Sequence, residues 1–244
     1  MNRIWIRPLR LLGLLALAVL VSKGEPAVAA QTGLFETAEF SGVPLPPWRG
    51  FVKGLAEASA AFDGCASATG CKSAPIRSVL GDIDTLASLP RRTQAERIHS
   101  LVNARPYRSD FEAYGQSDHW ATPLEFLAHA GDCEDFAIFK YFLLRRLGFE
   151  PSSLRIVLGR DGESGGSHAI LVVVVDGTAL VLDNARDAVI EAAAVRFEPI
   201  YSFNERERIG HFAARPAHVA AIAPAPHRPA ERALSATAGF SAAR

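Results

Sequence analysis

Two hydrophobic periods divide this chain. Through residues 48–61, 76–89 and 93–103 the apolar positions recur every three or four residues, the spacing that builds one face of a helix. Thr93 and Glu96 stand three apart at the start of the third segment and predict a capping box. Residues 120–129 predict a further short helix, with Thr122 as N-cap, Pro123 first and Glu125 third. The best-signalled helix starts at Cys133. Asp132 suits its N-cap and Asp135 its third position, while Arg145 and Arg146 fall in the last turn, ahead of Gly148. Ala137, Ile138, Tyr141, Phe142, Leu144 and Leu147 give it a broad apolar face, so this helix is expected to be central and buried.

Beyond it the period changes to that of strands. Residues 154–158 predict one strand, residues 159–167 a loop rich in glycine and charge, and residues 168–175 and 178–183 two more strands. Asp176-Gly177 between the last two predicts a two-residue type I′ hairpin. Apolar residues on both faces of 168–175 predict a strand covered on both sides. A helical half followed by an antiparallel sheet is an α+β organisation.

The hairpin register brings chemistry into view. With Asp176 and Gly177 as the loop, Val175 pairs with Thr178, and counting back places Ile170 opposite Asp183. His168 shares the face of Ile170, because side chains two apart on a strand point the same way. His168 and Asp183 are therefore diagonal neighbours, about 7–8 Å apart in backbone and within side-chain reach. A one-residue slip would separate them onto opposite faces. Cys133 needs only to lie at the helix end packed against that face. A thiol at a helix N-terminus, a histidine and an orienting aspartate make a Cys-His-Asp nucleophile arrangement. The helix dipole and a neighbouring imidazolium both favour the thiolate. Against this, a single free cysteine is more often a small buried hydrophobe, and His168 or Asp183 alone reads as structural.

Three acidic residues complicate the thiol. Asp132, Glu134 and Asp135 crowd negative charge around a cysteine that must ionise to act. A bound cation would resolve the conflict, and carboxylate oxygens suit a hard ion such as Ca²⁺. The plain alternative is that Asp132 and Asp135 cap the helix while Glu134 faces solvent.

The ends and the overall charge set the context. Arg3, Arg7 and Arg10, the apolar run 11–21 and the small residues Ala27-Val28-Ala29-Ala30 read as a cleaved export signal over residues 1–30. The run is shorter than the roughly 20 residues that span a bilayer, so stable membrane insertion is not expected. Residues 31–212 have the length of one domain, beginning with a Pro-rich irregular stretch to about Pro47. Residues 213–244, rich in Ala and Pro, read as a disordered tail. Lys plus Arg and Asp plus Glu are equal at 26 each, which gives no electrostatic footprint for nucleic acid. Of the three cysteines, Cys65 and Cys71 sit close together in a small-residue loop. In an oxidising compartment they are expected to pair and leave Cys133 free.

Several blocks resemble the bacterial transglutaminase-like cysteine peptidases. They are Trp120-Ala121-Thr122-Pro123-Leu124-Glu125-Phe126-Leu127, Gly131-Asp132-Cys133-Glu134-Asp135-Phe136-Ala137-Ile138, Lys140-Tyr141, Leu182-Asp183-Asn184 and Pro199-Ile200-Tyr201-Ser202-Phe203-Asn204. The likeness runs from Val102 to Asn204. It implies a papain/transglutaminase-like fold, with a helical lobe carrying the cysteine against a sheet carrying histidine and aspartate. It implies Cys133 as nucleophile, His168 as base and Asp183 as orienting acid, with calcium held by Asp132, Glu134 and Asp135. It further implies a periplasmic endopeptidase acting on a large surface adhesin in biofilm control, with an inner-membrane receptor able to sequester it. A transamidase or amidase would share the first half-reaction, and a non-catalytic calcium-dependent binding module would keep only the scaffold.

Overall fold

The computed structural model of the chain describes residues 38–67 and 71–212. The export-signal segment 1–30 and the tail 213–244 lie outside the described residues.

The helical half contains α1 (Trp48–Ser67), α2 (Ala74–Leu86), α3 (Arg91–Asn103), α4 (Asp110–Tyr114), α5 (Pro123–His129) and α6 (Cys133–Arg146). Helix α1 runs past its expected end because Phe62 still faces the core and is fully buried. Helix α3 starts at Arg91 with Pro90 as N-cap and no side-chain cap bond, so the capping box expected from Thr93 and Glu96 is not its start. Arg91 instead ties that first turn to the end of α6, donating to Leu147 O at 2.7 Å and Gly148 O at 3.3 Å. Helix α5 has the predicted capping box between Thr122 and Glu125, but Trp120 and Ala121 precede it outside the helix. Helix α4 is an addition, capped by Ser109 and Glu112.

The sheet has seven strands among the described residues, all pairings antiparallel, in the order β1-β7-β6-β2-β3-β4-β5. These are β1 (Ala38–Ser41), β2 (Leu154–Asp161), β3 (Ser167–Val175), β4 (Thr178–Leu182), β5 (Ile190–Glu191), β6 (Phe197–Phe203) and β7 (Arg208–Phe212). The N-terminal stretch expected to be irregular therefore supplies an edge strand against β7. Strand β2 continues to Asp161, three residues beyond its expected end, and the loop shrinks to residues 162–166.

Helix α6 sits where the two halves meet. Every residue from Asp135 to Leu144 is buried, so this helix is enclosed all round. Aromatic rings grip it. Phe136 and Phe139 pack on Phe126 at 5.0 and 4.9 Å between centroids, Phe142 on Phe62 at 4.9 Å, and Tyr141 on Phe51 at 5.5 Å. Leu171, Val173, Leu180 and Leu182 of β3 and β4 belong to the same core, while Val157, Ile170, Val172 and Val181 form a second cluster on the opposite sheet face. The strand covered on both sides is thus found, and the helix that begins at Cys133 is packed against both halves. Helices and antiparallel sheet together give the α+β architecture expected from the sequence.

Candidate active site

The β3–β4 hairpin has the register expected from the sequence, with Val175 opposite Thr178 and Leu171 opposite Leu182. Asp176 and Gly177 both have positive φ, 50° and 77°, as a type I′ turn requires. His168 lies on β3, while Asp183 falls one residue beyond the end of β4 rather than on it. There its carboxylate folds into an Asx turn, Oδ1 accepting the Ala185 amide at 2.9 Å.

The diagonal pair is in contact, with His168 Nε2 and Asp183 Oδ1 2.6 Å apart. A carboxylate can only accept, so Nε2 is the donor and Nδ1 is left as the basic nitrogen. Arg186 Nε approaches the other carboxylate oxygen at 3.5 Å. Burial pushes the Asp183 carboxyl up, but the His168 bond and the Ala185 amide outweigh it, and the group is held below the usual range. It is an anion beside an imidazole.

Cys133 and His168 line one cavity of about 330 Å³ together with Asp118, Trp120, Glu134, Gly159 and Tyr201. Trp120 stacks on Phe203 at 5.2 Å. At the cavity wall the β2–β6 register shifts between Leu158 and Gly159, where Ile200 is the extra residue on β6. A Cβ on Gly159 would meet Glu198 O at 2.2 Å, so only glycine lets β6 close in there. Cys133 opens α6, and its thiol donates to Glu134 Oε2 at 3.1 Å. Burial, then the charge and bond of Glu134, then Asp132, push the thiol strongly up, and the Ala169 amide opposes them.

The acidic cluster is larger than the sequence suggested. Tyr107 bridges Gly131, and Arg108 N donates to Gly131 O at 2.9 Å, which brings Asp110 beside the start of α6. Asp110, Asp132 and Asp135 offer carboxylate oxygens within 4.8 Å of one another, and so do Asp110, Asp118 and Glu134. Asp110 and Asp118 were missed because they lie far from Cys133 in sequence, and the Ser109-to-Glu112 capping pattern makes Asp110 look like an ordinary first-turn residue. Asp135 is fully buried and accepts the Ala121 amide at 2.7 Å and the Asp132 amide at 3.3 Å. A Cβ on Gly131 would meet Asp135 Oδ2 at 2.0 Å, which explains glycine at that position. Burial and neighbouring carboxylates push Asp132 up to about 9 and Asp135 up to about 8. Asp110 Oδ1 and Asp132 Oδ1 are buried without a hydrogen-bond partner. Oxygen donors left unsatisfied and crowded by like charge fit a hard divalent cation.

Cys65 and Cys71 form a disulfide between the last turn of α1 and the loop leading to α2, and Cys133 is free. No helix among the described residues is long and apolar enough to cross a membrane.

Solved structures with this architecture include LapG of Legionella pneumophila. One is 30% identical with a TM-score of 0.51 and covers 60% of this chain and 81% of its own. The calcium-bound form is 26% identical with a TM-score of 0.51, covering 71% and 93%, and the EGTA-treated form is 28% identical with a TM-score of 0.52, covering 71% and 90%. Among curated proteins none matches. The model of the bacterial transglutaminase-like cysteine proteinases, BTLCP, matches residues 79–208, more than half of the chain and the whole of the site described above, and the chain belongs to that family.

Proposed function

We propose that this protein is an exported, calcium-dependent thiol endopeptidase in which Cys133 is the nucleophile, His168 the base and Asp183 the residue that orients it. The observation that carries the reading is the His168–Asp183 bond at 2.6 Å, with His168 in the wall of the cavity that Cys133 also lines. With Nε2 engaged by Asp183, His168 Nδ1 takes the thiol proton as sulfur attacks the scissile carbonyl carbon. Backbone N–H groups at the start of α6 stabilise the oxyanion that forms. As the C–N bond breaks, the imidazolium returns its proton to the departing amine, leaving an acyl-thioester. Water, deprotonated by the same imidazole, then releases the acid and restores the thiol.

Asp110 with Asp132 and Asp135, or Asp110 with Asp118 and Glu134, would hold a calcium ion, and the ion would supply positive charge beside the Glu134 and Asp132 carboxylates that oppose the thiolate. A neighbouring structure of Legionella LapG is calcium-bound, which supports the same choice of metal here.

The export-like segment 1–30 and the Cys65–Cys71 disulfide support a periplasmic location. The family resemblance supports a protein substrate, a large surface adhesin cut near its N-terminus at a short Ala/Gly-type site, and an inner-membrane receptor that sequesters the enzyme. The test incubates purified protein and calcium with the adhesin's N-terminal region and maps new termini by mass spectrometry. New termini that vanish with Cys133→Ala are expected. Crosslinked products instead would make the protein a transamidase, and no product of either kind would leave a binding module. In cells, deleting the gene should increase retained adhesin and attachment, and unchanged attachment would remove the adhesin role alone.

A further inference from the structure

Lys140 is fully buried in the middle of α6. It stands seven residues after Cys133, two helical turns along the same face. Its Nζ donates to Leu182 O at 3.4 Å, the carbonyl of the peptide that joins β4 to Asp183. The Phe136 ring lies 5.9 Å away. Burial pushes Lys140 down to about 7, and the Asp183 charge pulls the other way, toward the ammonium. The influence is mutual, since Lys140 helps hold the Asp183 carboxyl below its usual range.

We propose that Lys140 is a positioning residue for the His168–Asp183 pair. Its ammonium pins the Leu182–Asp183 peptide to the nucleophile's helix and balances the Asp183 charge from behind. This rests on the reading of Asp183 as the orienting acid. The remaining neighbours leave this task to Lys140. Asn103 of α3 donates to Asp183 O at 3.1 Å and Arg186 O at 2.9 Å, which fixes backbone without adding charge. His99, packed beside Asn103, is pushed toward its neutral form by burial and by Lys140 itself. Arg186 is shared, pairing with Glu163 at 3.0 Å as well as approaching Asp183. Lys140 is the cation of α6 that reaches the peptide just before Asp183, through Leu182 O, and so ties that peptide to the helix carrying Cys133.

The test compares calcium-loaded wild type with Lys140→Met, Lys140→Gln and Lys140→Arg, using iodoacetamide alkylation of the free thiol Cys133 as a probe that needs no substrate. In parallel, histidine-labelled protein reports the His168 Nε2–H resonance, assigned with His168→Gln. Lys140→Met and Lys140→Gln are expected to slow alkylation by about tenfold and to broaden or move that resonance upfield. Lys140→Arg, which keeps the charge, should recover most of both. Should Lys140→Met fail to fold, Lys140→Gln, which retains a donor toward Leu182 O without the charge, decides the matter. Wild-type alkylation and an unmoved resonance in a folded uncharged variant would overturn the proposal, and so would an arginine variant as slow as the glutamine one. If His168→Gln leaves wild-type alkylation untouched, the Cys-His-Asp reading fails first, and the role of Lys140 falls with it.

Discussion

The Cys133 thiol donates a hydrogen bond to Glu134 Oε2 at 3.1 Å, so the nucleophile of the proposed triad is paired with a carboxylate from its own helix turn. That pairing favours the thiol over the thiolate, and Asp132 adds to the same bias. Calcium drawn into the carboxylate cluster would engage Glu134 and release Cys133 toward His168. The expected outcome is that calcium raises the melting temperature and excess chelator cuts activity while circular dichroism stays unchanged. Glu134→Gln should weaken calcium binding. Calorimetry on metal-stripped protein checks this, and no binding at millimolar calcium together with full activity in chelator would show that these residues only cap and pack.

The triad variants separate by role. Cys133→Ala should abolish cleavage with the fold intact, because no other thiol is free. His168→Ala should be comparably severe, with a loss of roughly a thousandfold or more in turnover. Asp183→Asn should cost less, since its amide still accepts from an imidazole N–H while losing the charge that stabilises imidazolium. Rates on one defined substrate, with melting curves alongside, check the order. Clear cleavage by purified Cys133→Ala would end the nucleophile assignment.

How far the site could be foreseen follows from the range of the forces involved. The His168–Asp183 contact was legible because a two-residue turn fixes every cross-strand pair after it, and Val175 opposite Thr178 carries that register to Leu171 and Leu182. The α6 start was legible from Asp132 and the apolar run behind it. Asp110 and Asp118 were not, because their approach depends on the Tyr107–Gly131 bridge, a pairing across the chain that no local pattern records. Strands β6 and β7 escaped for a similar reason. Ser202, His211 and Arg208 break the apolar alternation, and the first two meet each other across the sheet, a pairing that no local pattern records. The capping box at Thr93 failed because Arg91, bound to the far end of α6, extends that helix backward.

The disulfide makes a modest and separable contribution. Cys65 and Cys71 are six residues apart, and closing so short a loop adds about 2 kcal/mol, the low end for such bonds. The double variant Cys65→Ser/Cys71→Ser should therefore unfold several degrees earlier, while calcium binding and Cys133 alkylation stay at wild-type levels, because the loop lies outside the cavity. Peptide mapping of protein from its native compartment should find the Cys65–Cys71 link. A bond from either residue to Cys133 would contradict the arrangement.

The last prediction concerns acid stability and lies in the sheet. Ser202 Oγ and His211 Nε2 are 2.7 Å apart, with both residues buried between β6 and β7. Burial first, then the charge of Arg155, push His211 down to about 4. Between that value and the ordinary histidine value of about 6.5, the unfolded chain takes up a proton that the folded chain refuses. Unfolding is then linked to proton uptake, so stability falls as pH drops through this window and is unaffected by His211 above it. His99, also lowered, adds a slope of the same sign, whereas Asp132 and Asp135, raised by burial, oppose it. A difference measurement isolates His211. With saturating calcium, melting curves of wild type and His211→Gln are recorded from pH 7 to pH 4.5. Wild type should lose ground to the variant steadily as the pH falls, even if the variant starts lower. Parallel curves across the window would mean that His211 is protonated in the fold or that its neighbours relax around the charge.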